Sequence, residues 1–559
     1  MRYALFCLSL LVSAFVWGAE RPNVVVITAS GLGYSDLGCY GGEIRTPVLD
    51  NLAAQGMQLT HFYTCGESTR TQTSLLTGQY PHRMGMGMPM ENLKWESYAG
   101  SVSDASATLG EFFQDLGYHT LAVGKWSLTR TPGYGQAGHA WAVNRGFDRF
   151  YGTNLTQTSY FEPKYLLMGR EPFPVEQGYY YSYAIGDEAA RFLESVSKSN
   201  RPFFLYVAFT APSWPLQAPD EEIQRYLRVY QRGWDSTRIG RLARMKEKRI
   251  VPSSIELTPR DGRVVDWSRV GKFMAWQSRR MEVYAAQVSA MDRGIGKILD
   301  QLRKMGAEDD TLIVFLSDSG ACADELNLKS ASQSKFIFDR LEDGTPVQVG
   351  NHPQAMPGPV GVFQSYGVPW ANVSNTPYRG YAKTLYEGGL LAPCIVKWTN
   401  HVAAGKYSGV THVLDILPTL VEAVDASFPK QIKGKETLSP VGESLCGLFS
   451  AKARIDKTMG ERVDTSRFLF WECEGNQAVR YGKWKLVRPR GSQAWELYNM
   501  VLDPTELRNV YDRYMHEPEV QEMLEKLEQW KRKNLVYEWD KVRARYQKLH
   551  AKTKTKKKK

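Results

Sequence analysis

The stretch "NVVVITASGLGY", Asn23 to Tyr34, indicates the fold, because a continuous apolar and β-branched run ends in a glycine-rich turn. Such a run is typical of a strand that is buried on both faces, as in parallel sheets covered by helices. Ligands of these sheets bind beyond the carboxyl ends of the strands. The residues after each strand, beginning with Ser30, are therefore the first candidates for a functional site.

Strand and helix patterns alternate along the following chain. The segment "TPVLDNLAAQG" (46–56) predicts a helix, with Thr46 as its N-cap, Pro47 at the first helical position and Gly56 at its end. Further helices are predicted near 109–116 and 280–305, and further strands at "TLAVGKW" (120–126), "PFFLYVAFTAP" (202–212), "TLIVFLSD" (311–318) and "APCIVKW" (392–398). This alternation predicts an α/β fold with a large mixed, mostly parallel sheet between layers of helices.

The amino terminus has the pattern of a secretory signal peptide. Arg2 precedes an apolar run from Tyr3 to Trp17, and the small residues Gly18 and Ala19 follow. The run is short for a bilayer span, and no later segment has about 20 consecutive apolar residues. We therefore expect residues 1–19 to be removed and the protein to be exported to the periplasm or the extracellular space, without a membrane span.

The chain after this segment is predicted to form two domains and a tail. An α/β domain over 22–455 carries a polar, basic insertion at about 220–276. The hairpin pattern of "RFLFWECEGNQAVRYGKWKLVRPR" (467–490) indicates a small α+β domain with an antiparallel sheet over 460–545. Residues 546–559 are predicted to be a basic, disordered tail.

Composition and charge indicate an ordinary globular protein. Charged residues make up 23% of the chain, and there are 30 Tyr, 22 Phe and 15 Trp, which excludes a disordered chain. The net charge is +11, but the signal segment and the six lysines of the tail leave about +4 for the folded body. The tail, Lys552 to Lys559, would attract any polyanion in a salt-dependent way, or is a solvated segment with no dedicated partner. Nothing indicates a specific nucleic-acid partner.

Six cysteines remain after the signal segment, and none forms a CxxC pair. A zinc cluster is therefore disfavoured, while one or two disulfides remain an open alternative whose pairing the sequence does not define.

Several blocks of the chain, taken in order, resemble the bacterial arylsulfatase type of the sulfatase family. They include "RPNVVVITASGLGYSDLGCYGG" (21–42), "SLLTGQYPHRMGMG" (74–87), "FLYVAFTAPSWPLQAP" (204–219), "TLIVFLSDSG" (311–320) and "VPWANVSNTPYRGYAKTLYEGG" (368–389). The resemblance implies an alkaline-phosphatase-like core, a small antiparallel C-terminal domain and hydrolysis of sulfate esters. It also implies a formylglycine nucleophile, a calcium ion held mainly by aspartates, and lysines and histidines that neutralise the sulfate and protonate the leaving alcohol.

The metal positions implied by this resemblance are largely substituted. The family has two adjacent aspartates after the first strand, where this chain has Ser30 and Gly31, and an Asp-Asn pair later, where it has Asp318 and Ser319. Calcium prefers six to eight oxygen ligands, several of them carboxylate. One carboxylate and two hydroxyls are a poor donor set, so we expect no calcium here although the family implies it.

The nucleophile motif is substituted as well. Alignment on "LLTG" places Ser68 at the nucleophile position, Arg70 at the motif proline and Gln72 at the motif arginine. The proline and arginine that the modifying machinery reads are absent, so formylglycine is not expected. An unmodified serine would need an adjacent base. A shifted alignment would place Cys65 in the motif, but the flanking blocks favour Cys65 as a small buried or disulfide-bonded residue.

The positions of the proton donors and of the sulfate-binding lysines are mixed. Lys125 is retained, whereas Ser127 and Ser213 replace the two family histidines. Serine lacks a pKa suited to protonating a leaving group. The last family lysine falls on Ala382, and Lys383 stands one residue late, which turns its side chain elsewhere unless the loop adjusts.

The sequence therefore predicts a catalytically degenerate sulfatase that retains a pocket for a sulfated or otherwise anionic small molecule or glycan. Lys125, Arg70 and Lys383 are the cations assigned to that pocket. The alternative is an active arylsulfatase-type hydrolase of aryl or carbohydrate sulfates that uses Ser68 or another nucleophile.

Overall fold

The computed structural model describes residues 21–130, 138–327, 337–449 and 467–556, with side chains through residue 551. Three sequence predictions lie outside these residues: the signal segment 1–19, the domain boundary between 455 and 460, and the contacts of the lysine side chains in 552–559. The helices are α1 (Pro47–Gln55), α2 (Ser68–Thr77), α3 (Leu109–Asp115), α4 (Tyr181–Val196), α5 (Asp220–Gln224), α6 (Gly233–Glu247), α7 (Met274–Lys304), α8 (Gly367–Ser374), α9 (Glu387–Leu390), α10 (Ile416–Ala423), α11 (Cys446–Phe449), α12 (Tyr511–Tyr514), α13 (Pro518–Lys533) and α14 (Trp539–Lys556). The strands are β1 (Asn23–Ala29), β2 (Met57–Leu59), β3 (Phe62–Tyr63), β4 (His119–Lys125), β5 (Arg149–Thr153), β6 (Leu166–Met168), β7 (Glu171–Pro172), β8 (Phe203–Ala208), β9 (Thr311–Ser317), β10 (Gln348–Val349), β11 (Val362–Phe363), β12 (Cys394–Lys397), β13 (Gly405–Tyr407), β14 (Thr411–His412), β15 (Gln431–Ile432), β16 (Lys435–Glu436), β17 (Leu469–Cys473), β18 (Asn476–Tyr481), β19 (Trp484–Arg488) and β20 (Glu496–Asn499).

The main sheet has ten strands in the order β13-β2-β12-β9-β1-β8-β4-β5-β6-β7. Its centre, β9-β1-β8-β4-β5, is parallel, and Ile27 of β1 pairs with Val207 on one side and Phe315 on the other. Strand β12 runs antiparallel to both β9 and β2. The prediction of a mixed, mostly parallel sheet is therefore confirmed.

Helices cover both faces of this sheet because successive side chains of a strand point to opposite faces. Val25 and Ile27 of β1 belong to a core shared with α1, α4 and α7. Val24 and Val26 belong to a second core shared with α2, α3 and α10. All four side chains are fully buried, which explains the unbroken apolar run in the sequence.

The C-terminal domain is a four-stranded antiparallel sheet, β17-β18-β19-β20, packed against α13. The sequence predicted a disordered tail from residue 546, but α14 continues through residues 546–556. The reason is an apolar face: Val542, Tyr546 and Leu549 pack with Leu93 of the α/β domain.

The six cysteines of the described chain are all free thiols, so the alternative of one or two disulfides is not realised. Cys65 is buried and its Sγ donates to Ser74 Oγ at 3.2 Å, as a small core residue would. No helix within the described ranges combines the length and apolar character that a membrane crossing requires.

Candidate functional site

Four neighbouring strands of the main sheet bring polar residues to one edge. Ser30 follows β1, Ser213 follows β8, Lys125 ends β4 and Asp318 follows β9. These strands are adjacent and parallel, so their carboxyl ends meet where ligands of such sheets bind. Ser68 reaches the same edge from the first position of α2, whose N-cap Glu67 accepts a hydrogen bond from Arg70 N at 3.0 Å.

A cavity of about 470 Å³ opens at this edge, a volume typical of small-molecule sites. Eight sequence-predicted site residues line it: Ser30, Gly31, Ser68, Arg70, Ser213, Ser319, Ala382 and Lys383. The remaining four, Gln72, Lys125, Ser127 and Asp318, are buried and hydrogen-bond to lining residues or to one another. The structure thus assembles all the predicted positions around one cavity.

Lys125 makes the densest polar contacts at the floor of the cavity. Its Nζ donates to Ser30 Oγ at 2.7 Å, to Ser68 Oγ at 2.6 Å and to Asp318 Oδ2 at 2.7 Å. Ser68 Oγ in turn donates to Asp318 Oδ2 at 2.6 Å. The side chains of Lys125 and Asp318 are 1% and 3% exposed, so they form a buried ion pair that holds the Ser68 hydroxyl.

The donors at the family's metal positions do not fit calcium. Asp318 supplies the one carboxylate, and both of its oxygens accept hydrogen bonds, Oδ1 from Gly31 N at 2.9 Å and Oδ2 from the lysine and serine. The Ser319 hydroxyl donates to Gly320 O at 2.9 Å. Calcium requires six to eight oxygens with several negative charges. In the part of the chain that the structure describes, no group of three or more His, Cys, Asp or Glu is placed to hold a metal.

The substituted arginine and first histidine positions satisfy each other. Gln72 Oε1 accepts hydrogen bonds from Ser127 N at 2.9 Å and Ser127 Oγ at 2.6 Å. Gln72 Nε2 donates to Lys125 O at 3.2 Å and to Tyr206 Oη at 2.8 Å. This buried network fixes the end of β4 against α2 and leaves neither side chain directed at a ligand.

Arg70 does not serve the cavity as a free cation, contrary to the sequence-based assignment. It is 1% exposed, and its guanidinium donates to Glu472 O at 2.8 Å and Gly87 O at 2.5 Å, with the Glu472 carboxylate 3.8 Å away. His82 Nε2 also lies 2.8 Å from that carboxylate. Because the Arg70 guanidinium binds Glu472 at the boundary with the C-terminal domain, it is not available to a ligand in the cavity. Arg70 instead links the two domains.

Lys383 reaches the cavity although it stands one residue late. Its φ of 72° lies in the left-handed region, which re-aims the side chain, and Ala382 lies beside it in the cavity wall. The Lys383 ammonium lies 3.6 Å from Asp324 Oδ1 and is 44% exposed. The Asp324 carboxylate raises the pKa of Lys383, so the ammonium stays charged.

Sequence reasoning missed several residues of the cavity wall. Trp214 and Trp539 line it, with the Trp214 Nε1 donating to Asp324 Oδ2 at 3.2 Å. Trp214 stands in the quoted block "APSWPLQAP", which could have signalled it, whereas Trp539 comes from the distant helix α14 and gives no local signal. Half-buried Cys322 also contributes, and desolvation raises the pKa of its thiol, which keeps the thiol protonated.

The doubly covered sheet, the edge cavity and the helix-borne Ser68 define an alkaline-phosphatase-like α/β protein with a small antiparallel domain. A family model described as Sulfatase matches residues 22–426, and one described as N-sulphoglucosamine sulphohydrolase, C-terminal, matches 380–533. The chain therefore belongs to the sulfatase family.

Relatives in two organisms match most of the chain. An arylsulfatase of Klebsiella aerogenes is 33% identical over 457 residues, which covers 78% of this chain and 93% of that protein. An uncharacterised sulfatase of Schizosaccharomyces pombe is 30% identical over 527 residues, covering 88% of this chain and 90% of the relative.

Solved structures share the fold at low sequence identity. Ps i-CgsB aligns with a TM-score of 0.65 at 22% identity, covering 95% of this chain and 98% of the other. BT4656, in complex with its substrate D-glucosamine-2-N,6-O-disulfate, aligns with a TM-score of 0.60 at 19% identity, covering 92% and 98%. Another structure contains Ps i-CgsB in complex with k-i-k-neocarrahexaose.

Proposed function

We propose that this sulfatase-family protein binds a sulfated glycan and does not hydrolyse the sulfate esters of that glycan. One observation carries the proposal: the histidine positions of the family hold serines, and Ser127 is buried against Gln72 at 2.6 Å. Among the described residues that line the cavity, none is a histidine. An ester bound there would meet no imidazole to protonate its leaving alcohol.

The cavity itself supports binding. Trp214 and Trp539 offer rigid, partly exposed rings that suit the apolar faces of sugars. Lys383 presents a half-exposed ammonium that suits a sulfate. The sulfated sugar in the BT4656 complex supports this ligand class for the fold.

Binding is tested by calorimetry with a sulfated oligosaccharide and its desulfated counterpart. The sulfated form should bind more tightly, and Lys383→Ala should weaken it by about tenfold to a hundredfold, as expected for one charge-assisted hydrogen bond. The exposed Lys304→Ala, remote from the cavity, is the matched control and should leave the affinity unchanged. If wild type, Lys383→Ala and Lys304→Ala all bound the sulfated and the desulfated sugar equally, the proposal of sulfate recognition would be contradicted.

A second candidate is hydrolysis by unmodified Ser68. The observation that favours it is the 2.6 Å hydrogen bond from Ser68 Oγ to the Asp318 carboxylate, which is a base in reach of the hydroxyl proton. Release of alcohol from an aryl sulfate decides between the two candidates. Turnover that Ser68→Ala abolishes would establish hydrolysis, and mass analysis of the Ser68 peptide then tells serine from formylglycine, which has two hydrogens fewer.

We also propose that the protein is exported to the periplasm or the extracellular space. The apolar run from Tyr3 to Trp17 and the small residues Gly18 and Ala19 support this. Amino-terminal sequencing of protein from cells that secrete it should begin near residue 20. An intact Met1 on the accumulated protein would contradict export.

A further inference from the structure

The site retains a positive charge at its centre although its residues do not fit a divalent ion. Ser30 and Asp318 stand at positions that the family resemblance assigns to the metal, and Ser68 stands at the nucleophile position. The Lys125 ammonium lies within 2.6–2.7 Å of an oxygen of each. We propose that Lys125 takes the place of the calcium ion, as a cation that the chain itself supplies.

The geometry matches an ammonium group in number and direction. An ammonium has three N–H donors and no acceptor, and Lys125 Nζ meets three oxygens on three different elements: the β1 loop, α2 and the β9 loop. The side chain is 1% exposed, so these contacts replace water entirely. The cation therefore joins the three segments that a bound metal would otherwise hold together.

The charge balance of the site does not allow the Lys125 ammonium and a calcium ion to be present together. The Asp318 carboxylate neutralises one positive charge, and its second oxygen is held by Gly31 N. A divalent ion at the same place would face the Lys125 ammonium at close range, with a single carboxylate between them. Burial makes such repulsion strong, so the ammonium and calcium compete for the site.

The two positions where the family resemblance implies adjacent aspartates also fit a site centred on the Lys125 ammonium. Gly31 has a φ of 67°, in the left-handed region that glycine adopts without strain, and its N–H donates to Asp318. Ser30 accepts a hydrogen bond from Lys125 where an additional carboxylate would leave excess buried negative charge. The substitutions thus form one compensated set built around Lys125.

The inference deepens the proposed function and rests on it for the role of these positions. The first test is calcium content: wild-type protein dialysed against excess calcium should retain no stoichiometric ion by elemental analysis. Calcium or a chelator should leave its melting temperature unchanged, with any affinity weaker than about 1 mM. One calcium per chain, or a calcium-dependent rise in melting temperature, would overturn the inference.

The second test uses chemical rescue of Lys125→Ala. The variant leaves Asp318 buried without its cation, so we expect a lower melting temperature that propylammonium chloride restores in part and sodium chloride at equal ionic strength does not. Asp318→Asn in the same background should remove the rescue. The matched control is Lys397→Ala, which breaks the ion pair between the buried Lys397 and Glu308 away from the cavity. This variant should not respond to the amine.

Equal responses of Lys125→Ala and Lys397→Ala to propylammonium would overturn the inference. Different outcomes would refute the proposed function and the assignment of Lys125 as the replacement for calcium. Calcium-independent turnover of a sulfate ester would refute the proposed function and leave the ammonium assignment standing, whereas stoichiometric calcium without turnover would refute the ammonium assignment alone.

Discussion

At the scale of single residues, the substituted and retained side chains of this site bind one another. The Lys125 ammonium pairs with Asp318 and holds Ser68, while Gln72 and Ser127 bind each other. The polar side-chain atoms of these five residues all have partners within the protein, so these residues leave no unsatisfied buried group of the kind that destabilises a core. The residue-level chemistry is that of a stable pocket floor.

Buried His61 gives a pH-dependent prediction at the same scale. Burial lowers the pKa of His61 from 6.5 to about 4, with Arg480 adding to the effect. Between these values the unfolded chain binds a proton that the folded chain does not, so stability falls as the pH falls through this window. From about pH 7.5 to about pH 5, wild type should lose about 2 kcal/mol relative to His61→Asn.

The measurement is the urea midpoint of both proteins at the two pH values. The exposed His516→Asn is the control and should follow wild type. Parallel losses in wild type and His61→Asn would contradict the assignment of this proton.

The sequence located the residues of the site but not their pairings. Ser30, Lys125 and Asp318 were predicted to share one site because they stand at the ends of predicted parallel strands, which meet at one edge of a sheet. The direction of Lys125 depends on how far β4 is staggered against β1 and α2, which no local pattern specifies. Arg70 was misassigned for the same reason, since its partner Glu472 is 402 residues away.

At the scale of elements, the loop after β9 and helix α9 meet through glycines. A Cβ on Gly320 would overlap the carbonyl oxygen of Gly388, so the backbones pass closer than any side chain permits. This contact places the loop carrying Asp318 against the segment carrying Lys383. The glycines of "YEGG" are therefore packing residues of the site.

Gly320→Ala should separate these elements. We expect a loss of about 1–3 kcal/mol, as for other insertions into close packing, and weaker glycan binding because the two walls of the cavity move apart. Gly262→Ala is the matched control, since no atom lies within 4 Å of its Cβ. Equal melting temperatures of the two variants would refute the close contact.

Elements with strong local signals were predicted well, and elements defined by partners were not. Strands β1, β4, β8 and β9 and helices α1, α3 and α7 follow from apolar runs, period and caps. The antiparallel direction of β12 depends on its pairing with β2 and β9, which its own residues do not encode. Helix α14 depends on contacts with the α/β domain, so composition alone indicated disorder.

For the whole molecule, a buried charge cluster joins the two domains. Lys485 of β19 donates to Glu387 of the α/β domain at 2.7 Å and lies 2.7 Å from Glu506. Burial and the nearby Glu387 raise the pKa of Glu506 to about 7 against the opposing effect of Lys485. The C-terminal domain is thus fixed beside helix α9, which follows the segment that carries Lys383 of the cavity wall.

Lys485→Met should uncouple the domains. Removing one member of a fully buried ion cluster leaves carboxylates uncompensated and should cost about 3–5 kcal/mol. Lys483→Met, two residues away and exposed, is the control and should change stability by less than about 0.5 kcal/mol. Differential scanning calorimetry measures both, and similar traces for the two variants would contradict the structural role of the cluster.

A crystal structure of the wild-type protein grown in excess calcium tests the central claim most directly. The Lys125 Nζ is predicted to lie within hydrogen-bond distance of Ser30, Ser68 and Asp318, with unmodified Ser68 and no calcium at Asp318. A calcium ion coordinated by Asp318, with Lys125 displaced and an aldehyde hydrate at position 68, would contradict it.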